Sequence, residues 1–266
     1  MLLQIGHEST YHYDEPMPFG LQQIRLTPVS QGGQEVLHWQ TSVEGATKEV
    51  EFTDHHQNFV ELFSFIEGET TVHIRSSGEV ETSDTGGVLP SAAGQCPAWL
   101  FQRNTELTLP GPLVGELTDR FAKHSGSAVD QLHELSHQIR DVVDYRSGDT
   151  HASSTAEQAL ALGAGVCQDH AHVFISAARS LGHPARYVSG YLMMDDRTHQ
   201  EASHAWAEVL IEDLGWVGFD VSNGISPDER YVRIATGLDY REAAPISGIR
   251  FGAGEERLHV SLQVQQ

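Results

Sequence analysis

A chain of 266 residues with 39% hydrophobic and 20% charged side chains has the make-up of an ordinary globular protein, long enough for one large core or two modest ones. Its 37 acidic against 16 basic side chains leave a formal charge of −21, with only Lys48 and Lys123 as ammonium groups, so a phosphate backbone and an anionic membrane are poor partners. No run is apolar and long enough to span a bilayer, the opening residues lack a basic region followed by an apolar one, and two cysteines, Cys96 and Cys167, fit a reducing compartment; the expected location is cytoplasmic.

Up to about residue 105 the chain reads as short alternating runs at 2–5, 21–26, 35–43, 49–52, 61–66 and 70–74, punctuated by turns such as Gly32-Gly33 and Gly86-Gly87. That pattern predicts an antiparallel β-domain, a sandwich. Asp84-Thr-Gly86 matches an aspartic-protease triplet, but the second copy such an enzyme needs is missing, and its residues are ordinary turn formers. His55-His56 and Asp195-Asp196 have no partners at metal-ligand spacing, so neither a metal nor another cofactor is expected. Cys96, followed by Pro97, reads as a thiol without a role. Leu109-Pro-Gly-Pro112 marks a boundary, giving a β-domain over residues 1–108 and a second domain over 109–266.

Beyond the boundary, helical periodicity runs over 113–124 and 128–143, and a short helix over 155–162 has Ser153 or Ser154 as its expected cap. Next comes Gly163-Ala-Gly-Val-Cys-Gln-Asp-His-Ala-His172. From there Val173, Phe174, Ala177, Ala178 and Leu181 recur at helical spacing until Gly182 and Pro184 stop them. Cys167 thus sits in a first helical turn, where unpaired N–H groups and the positive end of the macrodipole favour a thiolate. No Lys-Ser or Lys-Thr follows Gly163 and Gly165, so the turn is not a phosphate loop. Its glycines let the chain approach the helix closely and leave backbone N–H groups near the thiol. Cys167's own N–H is the first candidate to bind a developing oxyanion, and Tyr145, Gln168 and Trp206 are candidates for the second donor. His170, three residues on, shares the helix face of Cys167 and reads as a packing ring. His172 points about 200° away from it, so the two cannot chelate one ion.

Strands follow at 185–193, 203–211, 216–219, 231–234 and 258–264, and helices before strands describe an α+β core. The run from His204 to Ile211 and the run from Trp216 to Asp220 form a hairpin whose midpoint, residue 212, makes His204 and Asp220 near cross-strand neighbours. A thiol, an imidazole and a carboxylate then stand in the order nucleophilic acyl transfer uses. Asp220 orients His204, His204 takes and returns the proton, and Cys167 attacks.

The run from Gly163 to His172, Gly182-His-Pro-Ala-Arg-Tyr-Val-Ser-Gly-Tyr191, Ser203-His-Ala-Trp-Ala-Glu208 and Gly215-Trp-Val-Gly-Phe-Asp-Val-Ser-Asn-Gly224 resemble the transglutaminase-like superfamily. Tyr11-His-Tyr13, Leu21-Gln-Gln-Ile-Arg-Leu-Thr-Pro28 and Gly237-Leu-Asp-Tyr240 narrow the resemblance to its bacterial branch with an all-β domain ahead of the core. The resemblance implies a papain-like cysteine fold with Cys167, His204 and Asp220 as the triad. Three positions depart from that pattern: His170 stands for a usual aromatic, Leu238 for a usual arginine, and Val221-Ser222 for Pro-Thr.

The expected activity is acyl transfer from an amide of a peptide or protein through a thioester. Water is the expected acceptor, because it is present in molar excess. An amine acceptor, which would make the chain a protein-glutamine transglutaminase, is the alternative. An inactive binding or assembly module, with the β-domain recognising a partner, is the alternative from another class.

Overall fold

The computed structural model describes residues 1–90, 96–121, 126–252 and 254–266. Lys123 and the end of the helix expected over 113–124 lie outside the described residues. In chain order the strands are β1 (Leu2–Tyr13), β2 (Phe19–Ile24), β3 (Gln34–Glu44), β4 (Ala46–Thr53), β5 (Phe59–Phe65), β6 (Thr71–Thr82) and the short β7 (Val88–Leu89). The helices α1 (Pro112–Asp119) and α2 (Ala128–Val142), strand β8 (Asp144–Tyr145), α3 (Ala156–Leu162), β9 (Ala164–Gly165) and α4 (Cys167–Ser180) follow. The chain closes with β10 (Ala185–Leu192), β11 (His199–Gln200), β12 (His204–Ile211), β13 (Gly215–Phe219), β14 (Tyr231–Gly237), α5 (Tyr240–Ala243), β15 (Ile246–Phe251) and β16 (Glu256–Gln265). Strands outnumber helices, as the alternating runs predict.

Two antiparallel sheets make up the first region, in the orders β11-β16-β1-β6-β3 and β15-β2-β5-β4. Alternation along β1 buries every second residue, so Leu3 and Ile5 join Val72, Ile74 and Val80 of β6. Ile24 of β2 and Phe63 of β5 meet them from the other sheet. Fully burying one such side chain stabilises by about 1.5–3 kcal/mol.

The division at residue 108 does not describe these sheets. Residues 246–265, which the sequence reading puts in the second domain, return to the first region: β15 pairs with β2 over Ile246↔Ile24 to Phe251↔Phe19, and β16 pairs with β1 over Gln4↔Gln265 to Tyr13↔Glu256. In the other direction β7 adds an edge to β13. β15 is absent from the sequence reading because Ile249 and Phe251 are exposed and Gly248 interrupts the run, which leaves no half-buried alternation.

A third sheet, in the order β14-β10-β12-β13-β7, packs one face on α4. Phe174, Ala177 and Ala178 of α4 meet Ala205, Ala207 and Val209 of β12 and Phe219 of β13, all fully or almost fully buried. Small residues on both sides let helix and sheet approach closely. α3 is capped by Thr155, not Ser153 or Ser154: the Thr155 hydroxyl accepts from Gln158 N while the Gln158 carboxamide oxygen accepts from Thr155 N at 2.9 Å. Tyr191, Val232 and Ile234 join the first region's cluster, so the third sheet and the β-region share apolar contact.

Candidate active site

Gly163 ends α3 in the left-handed conformation at φ 63°, and the chain turns at once into β9 and α4. At Gly165 a side-chain carbon would lie 2.6 Å from Asp169, so a residue with a Cβ is refused there, and the close approach expected of this turn is present. Asp169 holds the turn from inside the helix. Its Oδ2 accepts from Val166 N at 2.8 Å and from the Thr150 hydroxyl at 2.7 Å. Cys167 is thereby fixed as the first residue of α4, 9% exposed, where its N–H has no acceptor within the helix.

His204 opens β12 and Asp220 follows β13. The register Ala207↔Phe219 centres the hairpin on Asp213, which takes φ 66°, one residue later than expected. His204 and Asp220 are therefore diagonal neighbours on one face and not directly opposite, a spacing that a ring still spans. His204 Nε2 lies 2.6 Å from Asp220 Oδ2, with both side chains buried. Cys167 lies near enough to His204 to act on the charge of its ring.

Burial alone would lower the His204 pKa, but the hydrogen bond and charge of Asp220, aided by Cys167, outweigh it and push it up to about 10. Burial works in the opposite sense on Asp220, where hydrogen bonds from His204, Asn223 and Tyr231 win and hold the carboxyl below its ordinary value. Asn223 donates from its backbone to Oδ1 at 3.1 Å and from its side chain to Oδ2 at 2.7 Å, and the Tyr231 hydroxyl donates to Oδ2 at 2.7 Å. Asn223 and Tyr231 escape the sequence reading. Asn223 sits in a turn and Tyr231 on a strand, and only the fold brings both to one carboxylate.

The three candidates for a second oxyanion donor separate. Gln168 donates its carboxamide to the Ala152 carbonyl at 3.2 Å. Trp206 stacks on the His204 ring with centroids 6.4 Å apart, and its buried indole N–H has no partner. Tyr145 is half exposed at the mouth of the site; burial first, then the charges of Cys167 and Asp220, push its phenol up to about 12 and keep it a donor at neutral pH. An open groove of about 630 Å³ runs past Tyr145 and His204, walled by Leu192, Met193, Asp195 and Asn223.

His170 takes the place of a packing ring but does more than pack. Its Nδ1 lies 2.8 Å from Ser222 Oγ and its Nε2 2.8 Å from the Val143 carbonyl, tying α4 to the loop after Asp220 and to the chain entering β8. Burial lowers its pKa and favours the neutral ring. His172 points elsewhere, accepting from Tyr240 N at 3.1 Å.

His55-His56 gains a partner that linear spacing hides. Glu242 Oε2 lies 2.8 Å from His56 Nε2, and His55, His56 and Glu242 offer possible ligand atoms within 4.8 Å of one another. His55-His56 therefore do have a partner, against the expectation from spacing: α5 carries Glu242 across from the other region. Asp84 accepts from Gly86 N at 2.8 Å, as a turn former does.

Among known proteins, the model of the transglutaminase-like superfamily matches residues 115–221 and that of the bacterial transglutaminase-like N-terminal region matches residues 3–81. An uncharacterized protein of Mycobacterium leprae is 29% identical, with 98% of this chain and 98% of that one covered. An uncharacterized protein of Mycobacterium tuberculosis is 27% identical, with 98% of this chain and 91% of that one covered. In structure the chain is similar to a candidate cysteine protease from Cytophaga hutchinsonii, with a TM-score of 0.77 at 23% identity over 100% of this chain and 91% of that one, a likeness of fold. With Cys167 and Asp220 inside the one match and β1 to β6 carrying the other, the chain bears a transglutaminase-like core behind a bacterial transglutaminase-like N-terminal region.

Proposed function

We propose that the protein is a papain-like cysteine enzyme that cleaves amide bonds of peptides or proteins by acyl transfer, with water as acceptor. The observation that carries this is the buried His204–Asp220 pair at 2.6 Å, set against a thiol in the first turn of α4. The family match and the fold likeness to a candidate cysteine protease support an enzyme of this kind.

The Cys167 sulfur attacks the carbonyl carbon with its proton already held by His204, whose raised pKa keeps the ring charged at neutral pH. The oxyanion forms beside the Cys167 N–H and the Tyr145 hydroxyl. His204 then protonates the leaving nitrogen as the C–N bond breaks, which leaves a thioester. Water, deprotonated by His204, attacks the thioester; the acid departs and the thiol is restored. Asp220 keeps the imidazole in the orientation and tautomer this exchange needs. We place the activity in the cytoplasm, on the low cysteine content.

The test supplies a glutamine-rich protein with a small primary amine and measures ammonia, cleaved peptide and incorporated amine together. Hydrolysis gives ammonia or cleavage with little amine incorporated even at high amine concentration. Dominant incorporation would make the protein a transglutaminase. A thiol-directed probe that labels Cys167 no faster than Cys96, with no turnover, would leave a binding module.

A further inference from the structure

A second cavity, of about 430 Å³, lies between the β-region and the third sheet, at the far end of β12 from His204. Phe101, Leu210 and Trp216 give it apolar walls, and the guanidinium groups of Arg186 and Arg233 stand at one side. Both arginines pair with one carboxylate. Arg186 Nη2 lies 2.7 Å from Glu208 Oε2, and Arg233 Nη2 contacts Glu208 Oε1. Two positive charges against one negative leave the cluster cationic inside a chain of net charge −21. Arg233 is 8% exposed, yet its Nε–H has no acceptor. A buried donor without a partner costs about 1–3 kcal/mol, more when charged, so the site is built to accept something.

Arg186 Cζ lies over the Trp216 ring, 4.0 Å from its centroid, which holds its charge at an aromatic wall. His56 also lines the cavity, with Nε2 held by Glu242 and Nδ1 buried without a partner. Two acidic groups stand beside this lining: Asp54 accepts from Asn58, and Glu242 is engaged by His56 and by Leu238 N at 2.8 Å. A charged, donor-rich corner against apolar walls fits a particular chemistry: one anionic head and a compact hydrophobic body.

We infer that this cavity is a binding site for a small organic carboxylate with an apolar side group, separate from the thiol site. The carboxylate accepts from Arg233 Nε and neutralises the excess charge on the arginine pair, while the apolar body packs on Trp216, Leu210 and Phe101.

Calorimetric titration with N-acetyl-L-phenylalanine, its carboxamide and inorganic phosphate tests this. The acid is expected to bind saturably and the carboxamide at least about tenfold more weakly, since it loses a charge-assisted hydrogen bond. Arg233→Met is expected to weaken the acid by a similar factor while leaving Glu208 paired with Arg186. Ala98→Phe, which fills the lining without changing charge, is expected to block binding and stands in if the arginine variant misfolds. Cys167→Ala is expected to bind as the unaltered protein does, which separates this site from the thiol. Absence of saturable binding, equal binding of acid and carboxamide, tighter binding of phosphate than of the acid, or loss of binding in Cys167→Ala each overturns the proposal.

Discussion

At the scale of single residues, His204 and Asp220 have different work and should fail differently. In the proposed mechanism, removing the imidazole deprives the thiol of its proton acceptor, and positioned acid–base groups contribute about 10²- to 10⁴-fold to rate. His204→Ala is expected to lose turnover by that order and Asp220→Ala by less, because the carboxylate orients the imidazole while the imidazole itself moves the proton. The double variant should match His204→Ala alone, as residues acting as one unit are non-additive. Additive losses in steady-state kinetics would mean that Asp220 acts elsewhere. The same pair sets a pH signature on stability. His204 is raised from 6.5 to about 10, so its contribution is complete below 6.5 and is lost as pH climbs through about 10. Asp220 is lowered from 3.8, so its contribution is present above 3.8 and is lost as pH falls through its lower native value. The melting temperature gap between the wild type and His204→Ala should therefore be widest between pH 3.8 and 6.5 and shrink toward pH 10. A gap that is flat or widens across that range would contradict the pairing.

At the scale of elements, α4 and the β12–β13 hairpin were legible in the sequence because their signals are local. Apolar positions at helical spacing ran from Val173 to Leu181, and alternation over 204–211 announced a strand. Register was less legible: the one-residue shift to Asp213 depends on which turn residue accepts a positive φ, and both Asp213 and Gly215 do. The partners of Asp220 other than His204 were not legible at all. Nothing in Asn223 or Tyr231 as residue types marks them, and their hydrogen bonds exist only once the turn after β13 has formed and β14 has joined the same sheet. Glu242 beside His56 is the same case over a longer stretch of chain.

At the scale of the whole molecule, the two regions are not beads on a string. Leu262 and Val264 of β16 are buried in the first region's core, and β16 covers one edge of β1 along ten residue pairs. A chain ending at residue 245 lacks both β15 and β16, exposing two sheet edges and unpacking those side chains. Its melting temperature is expected to fall by roughly 10 °C or more, with a tendency to aggregate, since each kcal/mol is about 2–4 °C at this size. An unchanged melting curve, measured calorimetrically, would make the return strands dispensable. Proline and glycine at 110–112 stand out in the sequence because they punctuate locally; the return does not, since pairing between β1 and β16 is a long-range fact that no window of sequence contains.

The clasp of β1 by β16 also fixes an order in time. As a ribosome delivers the chain, β1 can pair with β6 early, but its other edge stays open until Glu256–Gln265 have been made. Through that interval an alternating, half-apolar strand is available to any passing edge, another nascent copy included. The thiol helix and its hairpin are therefore synthesised before the clasp can close.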